Sequence, residues 1–76
     1  MDIEVTRCHL YDMIYKRGYT PQQFAEIVGT KKSQLSEYNS LKNMMGTKNA
    51  LLYSSVLKCS VNDFYSYRVS DRRVDR

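Results

Sequence analysis

A chain of 76 residues has room for one domain, because a second compact unit would need a chain at least half as long again. Its 42% apolar residues can supply one small core and its 26% charged residues an ordinary solvated surface, which excludes a collagen, a low-complexity tract and a wholly disordered chain. The net charge of +4 is a weak pointer to a polyanionic partner. No apolar run approaches the roughly 18 residues of a membrane span, and the acidic start Met1-Asp2-Ile3-Glu4 is unlike a signal peptide. The expectation is a cytoplasmic protein with no membrane partner.

Catalytic and metal chemistry find little to work with. Cys8 and Cys59 are far apart, share no Cys-x-x-Cys spacing and sit among apolar positions, so they read as reduced thiols used for packing. His9 is the only histidine, and no motif nominates the further ligands that a zinc site would need. No nucleophile has an evident base, and the three glycines form no phosphate-cradling loop. The chain is therefore expected to be no enzyme, with no cofactor and no small-molecule substrate.

In chain order, Asp2 can cap a first helix, with Val5, Cys8, Leu10, Met13 and Ile14 at near-helical spacing and Gly18 ending it after Lys16-Arg17. Thr20-Pro21-Gln22-Gln23 is a strong start signal: threonine caps, proline takes the first helical position, and Gln23 completes a capping box. Phe24, Ile27 and Val28 form the buried stripe of this second helix, over about 20–28, and Gly29 ends it. A third helix, over about 31–40, carries Leu35 and Tyr38 inward. Gly46-Thr47 opens a fourth, with Ala50, Leu51, Tyr53, Val56 and Leu57 as its apolar face. Ser60-x-x-Asp63 is a second capping box, for a short fifth helix with Val61, Phe64 and Tyr65 on its inner side. The segment 1–69 is expected to be one all-α, five-helix domain, followed by a flexible charged tail over 70–76.

The second and third helices, with a glycine turn between them, have the spacing of a helix-turn-helix. Ala25 is small enough for a close helix crossing, and Gly29 reverses the backbone without a Cβ penalty. Residues 10–65 resemble the Cro/repressor-type (XRE-like) helix-turn-helix domain of phage and bacterial regulators. The match runs through Thr20–Gly29, Ser33–Tyr38, Val56-Leu57 and Cys59–Phe64. The resemblance implies a lambda-repressor-like fold whose third helix enters the major groove of double-stranded DNA, often as a homodimer. It places Lys32, Ser33 and Glu37 at base edges, flanked by Gln34 and Ser36. It also puts Lys31 and Gln22 near phosphates, and Lys42 and Asn43 near the backbone after the third helix.

Charge distribution points the same way. Residues 1–30 carry three basic and four acidic side chains, whereas residues 31–58 carry five lysines against Glu37. Lys31 and Lys32 stand at a helix N-terminus, where the macrodipole disfavours cations by about 0.3–1 kcal/mol each. A locally unfavourable choice is expected at functional sites, and phosphates would reverse its sign; a solvated lysine pair is the plainer alternative. Lys32 suits guanine O6 or N7, and Glu37 suits cytosine N4 or an ion pair within its own helix.

Three departures from the family pattern support a second reading. Pro21 stands where the family often has a phosphate-binding glutamine. Ser40-Leu41 replaces the usual Asn-Gly, which leaves room for the third helix to run on towards Met44, with Leu41, Met44 and Met45 as an apolar ridge: either core or an adaptable protein-binding patch. Lys58 replaces a helix-ending glycine. The alternative is a helix-turn-helix-fold modulator or antirepressor that binds a partner regulator protein. Among the seven tyrosines, Tyr38 and Tyr53 read as core, while Tyr65, Tyr67 and Val69 either form a dimer seam or fold back on the first helix.

Overall fold

Ile3 and Val5 alternate with Asp2, Glu4 and Thr6, and Tyr65, Tyr67 and Val69 alternate with Ser66, Arg68 and Ser70. In the computed structural model, which describes residues 1–70, both stretches are strands. β1 (Asp2–Cys8) and β2 (Tyr65–Ser70) pair antiparallel as a two-stranded ribbon. Between them lie α1 (Leu10–Lys16), α2 (Pro21–Val28), α3 (Lys32–Asn39), α4 (Thr47–Leu57) and one 3-10 turn (Val61–Phe64). The expected all-α, five-helix architecture is therefore wrong. β-branched and aromatic residues at period two favour a pleated strand, so the first helix begins only at Leu10. The fifth is a single turn: its Ser60–Asp63 capping box is present, but the alternating residues after Phe64 take the chain into β2.

A bulge in β1 joins the ribbon to the core. The register pairs Val5 with Tyr67 but Arg7 with Ser66, so Thr6 is the extra residue. Without it Arg7 would share a face with Ile3 and Val5; with it, Cys8 does. A bulge re-aims side chains in this way, leaving Cys8 5% exposed and Arg7 in solvent. Cys8 and its partner Tyr65 then join Leu10, Ile14, Phe24, Leu35, Tyr38, Tyr53, Leu57 and Phe64 in and around one core. Two residues expected inside are not: Ile27 is 52% and Leu51 56% exposed. Ala25 fills the crossing position beside Phe24, and Tyr53 fills the centre, so both aliphatic side chains are left on the outer faces of short helices.

The helix ends are closed by distant groups as well as local ones. Arg17, just past α1, donates from Nε to the Leu57 carbonyl at 2.7 Å and from Nη2 to the Lys58 carbonyl at 3.0 Å. A cation at a helix C-terminus satisfies orphan carbonyls and complements the macrodipole. Lys58 itself has φ 55 and ψ 48, the left-handed region that usually takes glycine. α3 does not run on towards Met44: it stops at Asn39, and Leu41 takes φ 65. The ridge consequently breaks up, with Leu41 and Met45 half-buried against the core and Met44 52% exposed. Of the expected charged tail, Ser70 closes β2 and residues 71–76 lie outside the described residues.

Lys58→Gly should raise stability by about 0.5–1 kcal/mol in denaturant titrations, because a left-handed non-glycine costs more than the extra entropy glycine brings to the unfolded chain. Burial also pushes the Cys8 thiol above its ordinary value of 9.0 and the Tyr53 hydroxyl above 10.0. The unfolded chain then loses these protons first. The folding stability they contribute is full below pH about 9 and is lost as pH rises through their folded values, an alkaline fall in melting temperature that Tyr53→Phe should reduce.

Candidate nucleic-acid interface

The geometry of α2 and α3 follows from four local devices. Thr20 caps α2, accepting from the Gln23 amide at 3.1 Å while the Gln23 side chain accepts from the Thr20 amide at 2.9 Å. Pro21 holds the first helical position and is buried. Gly29 reverses the chain at φ 75, and the Thr30 amide closes the turn on the Ala25 carbonyl at 2.9 Å. Beneath this turn lies Tyr53 of α4, 1% exposed. Its ring meets Phe24 edge-on at 5.3 Å and Tyr38 at a tilt of 57° and 6.4 Å. Its hydroxyl is hydrogen-bonded by the Thr30 side chain, which partly offsets the upward pull of burial.

With Leu35 and Tyr38 inward, helical spacing turns the opposite side of α3 outward. Lys31, Lys32, Ser33 and Ser36 are exposed, and Gln34 and Glu37 are half-buried. Lys31 is the N-cap, and no side chain caps the start of α3. Two lysines and unsatisfied backbone amides therefore gather at one end of an exposed helix, an arrangement suited to anions.

The other end is closed by Glu37. Its carboxylate accepts from Asn43 Nδ2 at 2.6 Å, while its carbonyl accepts from the Lys42 amide at 2.9 Å and the Ser40 hydroxyl at 3.2 Å. Sequence alone puts Glu37 at a base edge or in an ion pair; the structure joins it to Asn43, with Lys42 exposed beside them. Gln22 lies along its own helix, donating to Glu26 at 3.2 Å.

Two positioning contacts escape sequence reasoning. Asn39 at the end of α3 accepts from the Tyr11 amide at 3.0 Å, satisfying an orphan donor in the first turn of α1. Tyr65 at the start of β2 accepts from the Met45 amide at 3.3 Å, holding the loop that follows α3. Neither has a sequence signal, because each depends on which distant backbone group arrives. Among the described residues no cluster of metal-binding side chains forms, and no helix is long and apolar enough to cross a membrane.

No family profile matches the chain, and no solved structure matches it. A curated protein does: the SPbeta prophage-derived uncharacterized HTH-type transcriptional regulator YopS of Bacillus subtilis (strain 168) is 34% identical over 68 residues, covering 88% of this chain and 92% of that protein.

Asn39→Ala should cost about 1 kcal/mol, the usual loss when a helix-capping oxygen is removed. Amide hydrogen exchange should locate the loss at Tyr11 and the first turn of α1.

Proposed function

The chain belongs to the HTH-type transcriptional regulators, and we propose that it is a non-enzymatic, sequence-specific, repressor-like regulator that reads double-stranded DNA through α3. The observation that carries this reading is the exposed Lys31-Lys32 pair at the uncapped start of α3, with Ser33 and Ser36 turned outward behind it. Bound phosphates would neutralise the lysines and accept from the first amides of the helix, turning a local penalty into an attraction. The Cro/repressor-type resemblance adds the register: α3 in the major groove, with Lys32 and Ser33 at base edges and Gln34 and Ser36 flanking them.

The roles at the far end of α3 change accordingly. Glu37 is engaged by Asn43, so it acts chiefly by shaping the 40–43 loop that carries Lys42 to the DNA backbone. With no arginine fork for guanine on this helix, its asparagine Asn39 turned to the Tyr11 amide and Gln34 half-buried, base discrimination by hydroxyls and Lys32 is modest, and sequence-dependent DNA shape supplies the remainder. Repression then works by occupancy of the site, in the bacterial cytosol or nucleoid. The alternative modulator, gripping a partner regulator through Leu41, Met44 and Met45, loses support because Leu41 and Met45 are packed against the core.

Selection of bound duplexes from a random pool should return a preferred site. Binding should weaken steeply with salt. Lys31→Ala with Lys32→Ala should lower the log–log salt slope by about 1 for each phosphate left without its lysine, with the melting temperature no lower, because two cations leave the helix N-terminus. Failure of every duplex to compete above non-specific affinity at low salt would sink the reading.

A further inference from the structure

A cleft of about 360 Å³, within the size range of small-ligand sites, opens between α1, the C-terminal end of α4 and the 3-10 turn. No residue of α2 or α3 lines it, so its chemistry is independent of the DNA reading. Lys16 and Arg17 reach it from the end of α1, and Lys58 from the end of α4. None of the three makes an ion pair among the described residues, although Asp12 stands one helical turn before Lys16. Helix ends account for two of these cations. Lys16 lies in the last turn of α1, and Arg17 is bonded to the Leu57 and Lys58 carbonyls that close α4. Lys58 is surplus to that need, and its left-handed backbone is a conformation that glycine tolerates better than lysine. Strained residues of this kind gather at ligand clamps.

We propose that this cleft binds a mononucleotide, its phosphate held by Lys58, Lys16 and the free edge of Arg17. Arg17 engages the two carbonyls through Nε and Nη2, which leaves Nη1 without a partner among the described residues. A phosphomonoester carries about −1.5 to −2 charges at neutral pH and suits converging ammonium and guanidinium donors. The floor beside them is apolar: Leu57 is buried, and Met13 and Cys59 are half-buried, a surface for the flat face of a base. Two carboxylates share the walls, Asp12 at 3.6 Å from His9 Nδ1 and Asp63 accepting from the Ser60 amide at 2.9 Å. They oppose a bare polyanion but accept from ribose hydroxyls and base amino groups. The ligand that fits therefore carries donors and a flat apolar body as well as phosphate. Inorganic phosphate lacks the body, and a free nucleoside lacks the charge.

The test is titration of the isotope-labelled full chain with each common ribonucleoside monophosphate, read by amide chemical shifts, with inorganic phosphate and the free nucleosides as controls. At least one monophosphate should bind saturably with a dissociation constant below about 1 mM and shift the amides of Lys16, Arg17, Lys58 and Cys59. It should also slow alkylation of the half-buried Cys59 thiol, while Cys8 stays unreactive in the core. Lys58→Gly relieves the left-handed strain and should melt no lower, yet weaken the nucleotide by about tenfold or more. Lys58→Asn, another residue at ease in that conformation, should do the same. Inorganic phosphate binding as tightly as the nucleotide, shifts confined to α2 and α3, or unchanged affinity in both Lys58 variants overturns the proposal. So does the absence of saturable binding below about 1 mM by every monophosphate; if Lys58→Gly then flattens the salt dependence of duplex binding, the cation belongs to the DNA backbone. A nucleotide bound in the cleft of a chain that selects no duplex leaves the proposal standing and defeats the DNA reading alone.

Discussion

The arrangement of α2 and α3 depends on one buried ring. Tyr53 rises from α4 into the junction of the two helices, edge-on to Phe24 of α2 and tilted against Tyr38 of α3. Aromatic pairs at such angles contribute about 0.5–1.5 kcal/mol each beyond the area they bury. The hydroxyl makes the contact specific as well as adhesive. A phenol removed from water needs a partner, and the Thr30 side chain in the turn supplies it. One residue of α4 thus touches α2, α3 and the turn between them. Tyr38 extends the system, its hydroxyl accepting from Asn49 of α4 at 3.2 Å. In a domain whose whole stability is only roughly 4–11 kcal/mol, this small aromatic group is a substantial share of what holds α3 at its angle.

The same group explains how much of the fold is legible in the sequence. Thr20-Pro21-Gln22-Gln23, Ala25, Gly29, Leu35 and Tyr38 are local signals for local geometry, and the two helices begin and end within a residue or two of their expected bounds. The ribbon is illegible for a physical reason. Its strands come from opposite ends of the chain, Cys8 pairing with Tyr65, so no turn announces the pairing. The bulge at Thr6 then disguises the pattern. It puts Val5 and Cys8 on one face three residues apart, which is a helical spacing, and Leu10 extends the misreading into α1. At the other end, the clean alternation from Tyr65 to Ser70 spans only six residues and follows a capping box that favours a helix.

Within the site, sequence can supply which side chains face outward; it cannot supply which polar groups engage one another. The lysines at 31 and 32 are exposed because nothing follows them onto the core face until Leu35. Glu37 looks like a free carboxylate in the sequence because its partner, Asn43, depends on where the chain goes after Asn39. That path turns on Leu41. A leucine at φ 65 is disfavoured by about 1–2 kcal/mol, a cost that burying part of its side chain against the core offsets. The helix therefore stops without a glycine, and a sequence rule that waits for glycine extends it too far.

The link between the two ends of the molecule is short. Cys8 and Tyr65 sit at the base of the ribbon, and the Tyr65 hydroxyl holds the Met45 amide in the loop after α3. On the other side of α3, Asn39 grips the first turn of α1, and the His9 amide just before that turn donates to the Phe64 carbonyl at 2.7 Å. The ribbon and α3 are thus tied through Met45–Tyr65 and through Asn39–Tyr11, with the core packed between. Any partner seated on the ribbon inherits a defined orientation relative to α3, because neither tie can slip without exposing a half-buried polar group.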